Sequence, residues 1–113
     1  MQTPVDNSLH STRLGVDWLE EPFNFFVGNP GVEDDFTGCS ITGGIYQRGT
    51  LLLDMSTPTA RAVITLPNIV NIAVLKADMA ALPVGVYTVS LGLITATDST
   101  QDLISFALEV MQP

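Results

Sequence analysis

"LKADMAALPVGVYTVSLGL", residues 75–93, changes its period halfway along. Leu75, Met79 and Leu82 fall at i, i+4 and i+7, one face of a short helix, and Asp78 lies in the same turn. From Tyr87 the period is two. Tyr87, Val89, Leu91 and Leu93 share one side of a strand. Pro83 and Gly85 stand between the halves and end the helix. The spacing predicts a helical turn over about 75–81 that leads into a long strand, with a tyrosine buried near the strand's start.

The rest of the chain reads as short apolar runs separated by turn residues. "RLGVDWLE" predicts a first strand around Val16 to Leu19, and "PFNFFV" a second with Pro22 at its entrance. "GNPGVEDD" reads as a loop. "GCSITGGIYQ" puts Cys39, Ile41 and Ile45 on one face, and Gly43 and Gly44 inside it indicate a bulge or a close backbone approach. "GTLLLDMS" places Leu51, Leu53 and Met55 together, and "RAVITLP" does so with Ala62, Ile64 and Leu66. "IVNIAVL" groups Val70, Ile72 and Val74. "LISFALEVM" turns Ile104, Phe106, Leu108 and Val110 inward and Ser105, Ala107 and Glu109 outward. Residues 1–11 are polar and include Pro4 and Asn7, so 1–13 is expected to be a mobile leader or docking arm, and 14–113 a single sandwich domain.

Seven to eight strands are therefore expected. Almost no gap between them is long enough for a parallel crossover, so the sheets should be mainly antiparallel. A helical turn before a buried tyrosine at the start of the penultimate long strand is the tyrosine corner of an immunoglobulin-like β-sandwich. Antibody domains carry a cysteine two residues after that tyrosine. Here the position is Val89, as in a sandwich held by packing alone.

Composition narrows the function. The chain has 113 residues, enough for one core without metals or disulfides. Twelve acidic residues against four basic ones give a net charge of −8. Nucleic acid and anionic membrane surfaces both need clustered Lys and Arg, and Arg13, Arg48, Arg61 and Lys76 are scattered. Only 14% of residues are charged while 46% are apolar, so much of the surface is neutral, either because a partner covers part of it or because Thr, Ser, Asn and Gln decorate the strands. The N-terminal stretch has no signal-peptide pattern, and no apolar run is long enough to span a membrane.

Candidate chemistry is sparse. His10 and Cys39 are the one base–nucleophile combination that can be drawn, and His10 falls in the expected leader. Glu33, Asp34 and Asp35 form an acidic run that could hold a cation, but without the alternating spacing of a calcium loop. Asp17, Glu20 and Glu21 could pair as carboxylates for glycoside hydrolysis. Trp18, Phe23, Phe25 and Phe26 are either core or an aromatic platform for sugars. No catalytic, cofactor-binding or metal-ligating residue is assigned. A non-enzymatic protein without cofactors is expected.

The segment from Gly15 to Val110 resembles small phage and prophage virion proteins with immunoglobulin-like or baseplate-adaptor-like sandwiches. "LGVDWLE" is similar to their opening strand, and "DFTG" (35–38) to a D-L-T-G turn. "VLKADMAALPVGVY" is similar to a strand, a short helix and P-x-G-x-Y, and "LISFALEV" to the final strand. That last match departs from the family in having Ala107 or Ser105 where a glycine is usual. The resemblance implies a structural part of a tail, baseplate, neck or capsid surface. Such a part would be found in the virion, or in the host cytoplasm before assembly. Its expected partners are other virion proteins and its own copies, through strand edges and the outward apolar positions Leu52, Val63, Val86 and Ile94. The alternative is a carbohydrate-binding or adhesive sandwich that uses an exposed aromatic such as Trp18.

Overall fold

In a computed structural model, residues 5–20, 22–27, 32–33 and 35–112 are described. The strands are β1 (Val5–Arg13), β2 (Trp18–Leu19), β3 (Phe23–Asn24), β4 (Phe26–Val27), β5 (Val32–Glu33), β6 (Ser40–Gln47), β7 (Thr50–Asp54), β8 (Ala62–Thr65), β9 (Ile69–Val74), β10 (Gly85–Ile94) and β11 (Thr100–Met111). A 3-10 turn, Thr57–Thr59, precedes β8, and the single helical turn α1 (Lys76–Met79) precedes β10.

The strands form two main layers. The larger sheet has the order β1-β11-β10-β6-β7. In the smaller sheet β2 and β3 lie end to end along one edge of β9, and β8 pairs with the other edge. Counting β2 and β3 as one interrupted strand, this is the strand order of an immunoglobulin-like sandwich. β4 and β5 make a separate two-stranded ribbon, so the expected loop "GNPGVEDD" contains a short strand. Among the described residues all pairings are antiparallel except that of β1 with β11.

The tyrosine corner is present. Tyr87 is buried at the start of β10, and its hydroxyl donates to the carbonyl of Pro83, in the connection that follows α1. Burial among apolar groups pushes the phenol pKa above its ordinary value. Asp17 reaches α1 from the β1–β2 turn, where its Oδ1 accepts the Lys76 backbone N–H at 2.8 Å.

The core lies between the layers. Ile41, Ile45, Val89, Leu91, Phe106 and Leu108 face Trp18, Val70, Ile72 and Val74. β6 and β7 are joined by a two-residue loop, Arg48–Gly49, with both residues at positive φ (52° and 79°). That is the hairpin turn whose twist matches the strands. Gly43 fulfils the expected close approach. A Cβ placed on it would stand 2.3 Å from the Ser90 carbonyl oxygen, and its φ is +101°.

Some sequence expectations need correction. Residues 5–13 are not a leader apart from the sandwich. They form the edge strand of its larger sheet, in register from Leu9↔Ala107 to Arg13↔Met111. Val16 lies exposed in the turn before β2. Leu51 and Leu66, expected inside, are exposed. The β6–β7 ladder shifts register between Ile45 and Tyr46, which turns Leu51 outward opposite Tyr46. Leu66 falls in the turn after β8 and leaves the strand's alternation.

Candidate functional site

The most organised polar cluster joins the two sheets. Trp18 and Glu20 are two residues apart at β2 and so share a face. The indole Nε1 donates to Glu20 Oε2 at 2.6 Å. On the edge strand β1, His10 Nδ1 lies 2.6 Å from Glu20 Oε1. An ionised carboxylate only accepts, so Nδ1 is the donor there. The imidazole packs on Phe106 with ring centroids 4.3 Å apart, and Phe23 stacks on the same ring at 5.7 Å. His10 and Glu20 are both largely buried. The carboxylate therefore spends both oxygens on holding β1 against β2. This arrangement ties the two strands together.

His10 and Cys39 are not brought together. His10 pairs through Leu108 with the Tyr87 end of β10, while Cys39 precedes Ser40, which pairs with Ile94 at the other end. Seven residues of strand separate these rows, roughly 24 Å. Cys39 sits half-exposed as a free thiol. The carboxylate pair also separates: Asp17 is bonded to the start of α1, and Glu20 to Trp18 and His10. Glu21 lies outside the described residues.

Of the acidic run, Asp34 lies outside the described residues and Glu33 is known as a backbone position in β5. Asp35 closes a local turn, accepting from the Thr37 hydroxyl at 2.6 Å and the Thr37 N–H at 3.0 Å. Those bonds lower its pKa below the ordinary carboxylate value. Among the described residues no group of three or more His, Cys, Asp or Glu side chains could hold a metal ion.

Three of the four aromatics of the expected platform are not laid out on the surface, and the Phe26 side chain lies outside the described residues. Trp18 is 1% exposed, Phe25 is buried against Phe36, and Phe23 is half-buried on Phe106. An open groove of about 420 Å³ runs beside the edge strand β8, lined by Phe36, Cys39, Ala62, Ile64 and Leu66 among others. Its Thr57 hydroxyl is already committed to the Ile41 N–H at 2.6 Å. A second depression of about 310 Å³ is lined by Asp35, Thr37, Thr95, Thr97 and Gln101 among others. Asp35, Thr95 and Thr97 there bond within their own turns.

The other conspicuous features are two strand faces. On the larger sheet one row crosses all five strands: Leu9, Ala107, Thr88, Tyr46 and Leu51. Val86 stands beside it on the next row. Leu9, Leu51 and Val86 are each about half exposed. The smaller sheet turns out Leu19 and Val63. Sequence alternation found Leu52, Val63, Val86 and Ile94, of which Ile94 is half-buried. It missed Leu9, because β1 did not read as a strand. Trp18 and Glu20 at i and i+2 were the available signal for the tether.

No protein-family model matches this chain, and no curated protein sequence matches it. Among the described residues no helix is long and apolar enough to cross a membrane.

Proposed function

We propose that this chain is a non-enzymatic assembly module of a phage or prophage particle, acting through contacts with its own copies and with other virion proteins. The carrying observation is where the exposed apolar side chains sit. Leu9, Leu51 and Val86 stand on strands of the larger sheet, and Leu19 and Val63 on strands of the smaller. Apolar residues grouped on sheet faces and edges are a liability for a free monomer and an asset once covered. The order of the "LGVDWLE", "DFTG", "LPVGVY" and "LISFALEV" segments supports the particle setting. The protein then belongs to the virion, or to the host cytoplasm before assembly. The sugar-binding alternative loses its aromatic, because Trp18 is buried and already hydrogen-bonded.

Light scattering during size exclusion, over a concentration series, tests the association. A mass above that of one chain, rising with concentration, is expected. A monomer at every concentration that also fails to co-sediment with particles from its host would overturn the proposal.

A further inference from the structure

We infer that the His10–Glu20 pair is a pH-sensitive latch on the edge strand β1. Protonated His10 holds the strand against the sandwich, and loss of that proton loosens it. The device is internal to one chain and works whether or not copies assemble.

β1 is docked unlike the other long strands. It is an edge strand, with β11 on one side in the sheet order. Leu9, Ser11 and Arg13 are exposed, so the strand turns His10 and Thr12 inward. On β10 the inward positions are Tyr87, Val89, Leu91 and Leu93. Where β10 sinks an apolar row into the core, the described inward side chains of β1 are an imidazole and a hydroxyl. The grip of β1 on the smaller sheet therefore runs through a polar contact, His10 Nδ1 to Glu20 Oε1 at 2.6 Å.

Two features of the surroundings favour the charged imidazole. Glu20 is largely buried, and a carboxylate withdrawn from water needs a positive partner. The indole on its other oxygen donates a hydrogen bond but brings no charge. The imidazole also packs on the Phe106 ring, with centroids 4.3 Å apart, and an aromatic face attracts a cation.

Around His10, the described residues of β1, β2, β3 and β11 contribute one charged group, Glu20, at the end of β2. β3 presents the Phe23 ring, its centroid 6.3 Å away, and β11 presents Phe106 and Leu108. Arg13 alternates to the outward side of β1, and Glu109 pairs with the outward Ser11. Asp17 is turned to the start of α1, and Asp102 stands at the far end of β11. Glu21 and the side chains of residues 5–8 lie outside the described residues.

An imidazole whose proton is favoured by folding adds stability that is full below the ordinary histidine value of about 6.5. That stability is lost as pH rises through the folded value. A hydrogen bond between charged groups is roughly twice as strong as a neutral one. Neutral His10 can still donate from Nδ1, so β1 loosens at higher pH without leaving outright. Each opening uncovers the edge of β11 and the ring of Phe106.

His10 is the only histidine, so its imidazole resonances can be followed by NMR without overlap. Its titration midpoint in the folded protein should lie above that of the urea-unfolded chain. The midpoint should fall in Glu20→Gln, which keeps the acceptor and removes the charge. Amide protection of residues 9–13, corrected for intrinsic exchange, should drop about tenfold between about pH 5.5 and about pH 8.5. In His10→Gln it should stay level. A folded midpoint at or below the unfolded one would overturn the inference. So would β1 protection that stays level in the wild type, or that falls only as far as that of the β10–β6 amides. Should Glu20→Gln fail to fold, the folded and unfolded titrations of the wild type still decide.

Discussion

The two sheets are held by different means. In the larger sheet, β10 pairs along ten positions with β11 and along seven with β6. Main-chain hydrogen bonds do most of the work there. In the smaller sheet, β2 and β3 each pair with β9 at two positions. Side chains supply what the ladder lacks. Asn68 Nδ2 donates to the Phe25 carbonyl at 2.8 Å, Asp17 accepts from the start of α1, and Glu20 ties Trp18 to His10. A strand can therefore be broken in two and still keep its place, provided specific side chains anchor each piece.

Five substitutions or measurements sharpen that contrast. Trp18→Ala attacks the short sheet at its largest buried side chain and should cost about 4 kcal/mol. Urea unfolding would read it as a fall in midpoint, and an unchanged midpoint would remove Trp18 from the core. Gly43→Ala attacks the long sheet through its backbone, where a Cβ meets the Ser90 carbonyl. About 2–3 kcal/mol is expected by the same assay. Asn68→Ala leaves the Phe25 carbonyl without its side-chain donor at a site 2% exposed, for about 2 kcal/mol. If Asn68→Ala and Gly43→Ala were both neutral, the division of labour between side chains and main chain would collapse.

Tyr87→Phe removes one buried hydrogen bond in the connection between the sheets and should cost about 1 kcal/mol. A melting temperature equal to wild type would mean that the corner contributes packing alone. The smallest effect belongs to Asp35, outside both ladders. Its folded pKa is depressed by the Thr37 bonds, so its contribution is present above the unfolded value of 3.8 and lost as pH falls through the lower folded value. An NMR titration of the Asp35 carboxyl should show a midpoint below 3.8, returning towards it in Thr37→Val.

The long strands were legible because their alternation is regular. Tyr87 to Leu93 and Ile104 to Val110 point inward as the period of two predicts. β1 was illegible for a physical reason. Its inward residues include His10 and Thr12, so no apolar alternation marks it, and its partner lies almost a hundred residues away. The same gap hid the tether, since His10 reaches Glu20 only after β1 has docked. Leu51 and Leu66 were misplaced by a register shift and a turn, which periodicity cannot see. The apolar faces were partly legible. The row that crosses the larger sheet depends on strand order, which no local pattern states.

The parallel pairing of β1 with β11 also sets a timetable. β1 has its partner in residues 105–111, almost a hundred residues further along the chain. Until those residues are made the edge of β11 does not exist and His10 has nothing to lie on, because Phe106 is also missing. The larger sheet is completed only once residues 105–111 have been made, by the contact of longest sequence separation among the described strands. Contacts of that kind carry the highest loop-closure entropy and slow folding. A chain made only as far as β10 therefore has no five-stranded sheet, and β1 waits unpaired until β11 exists.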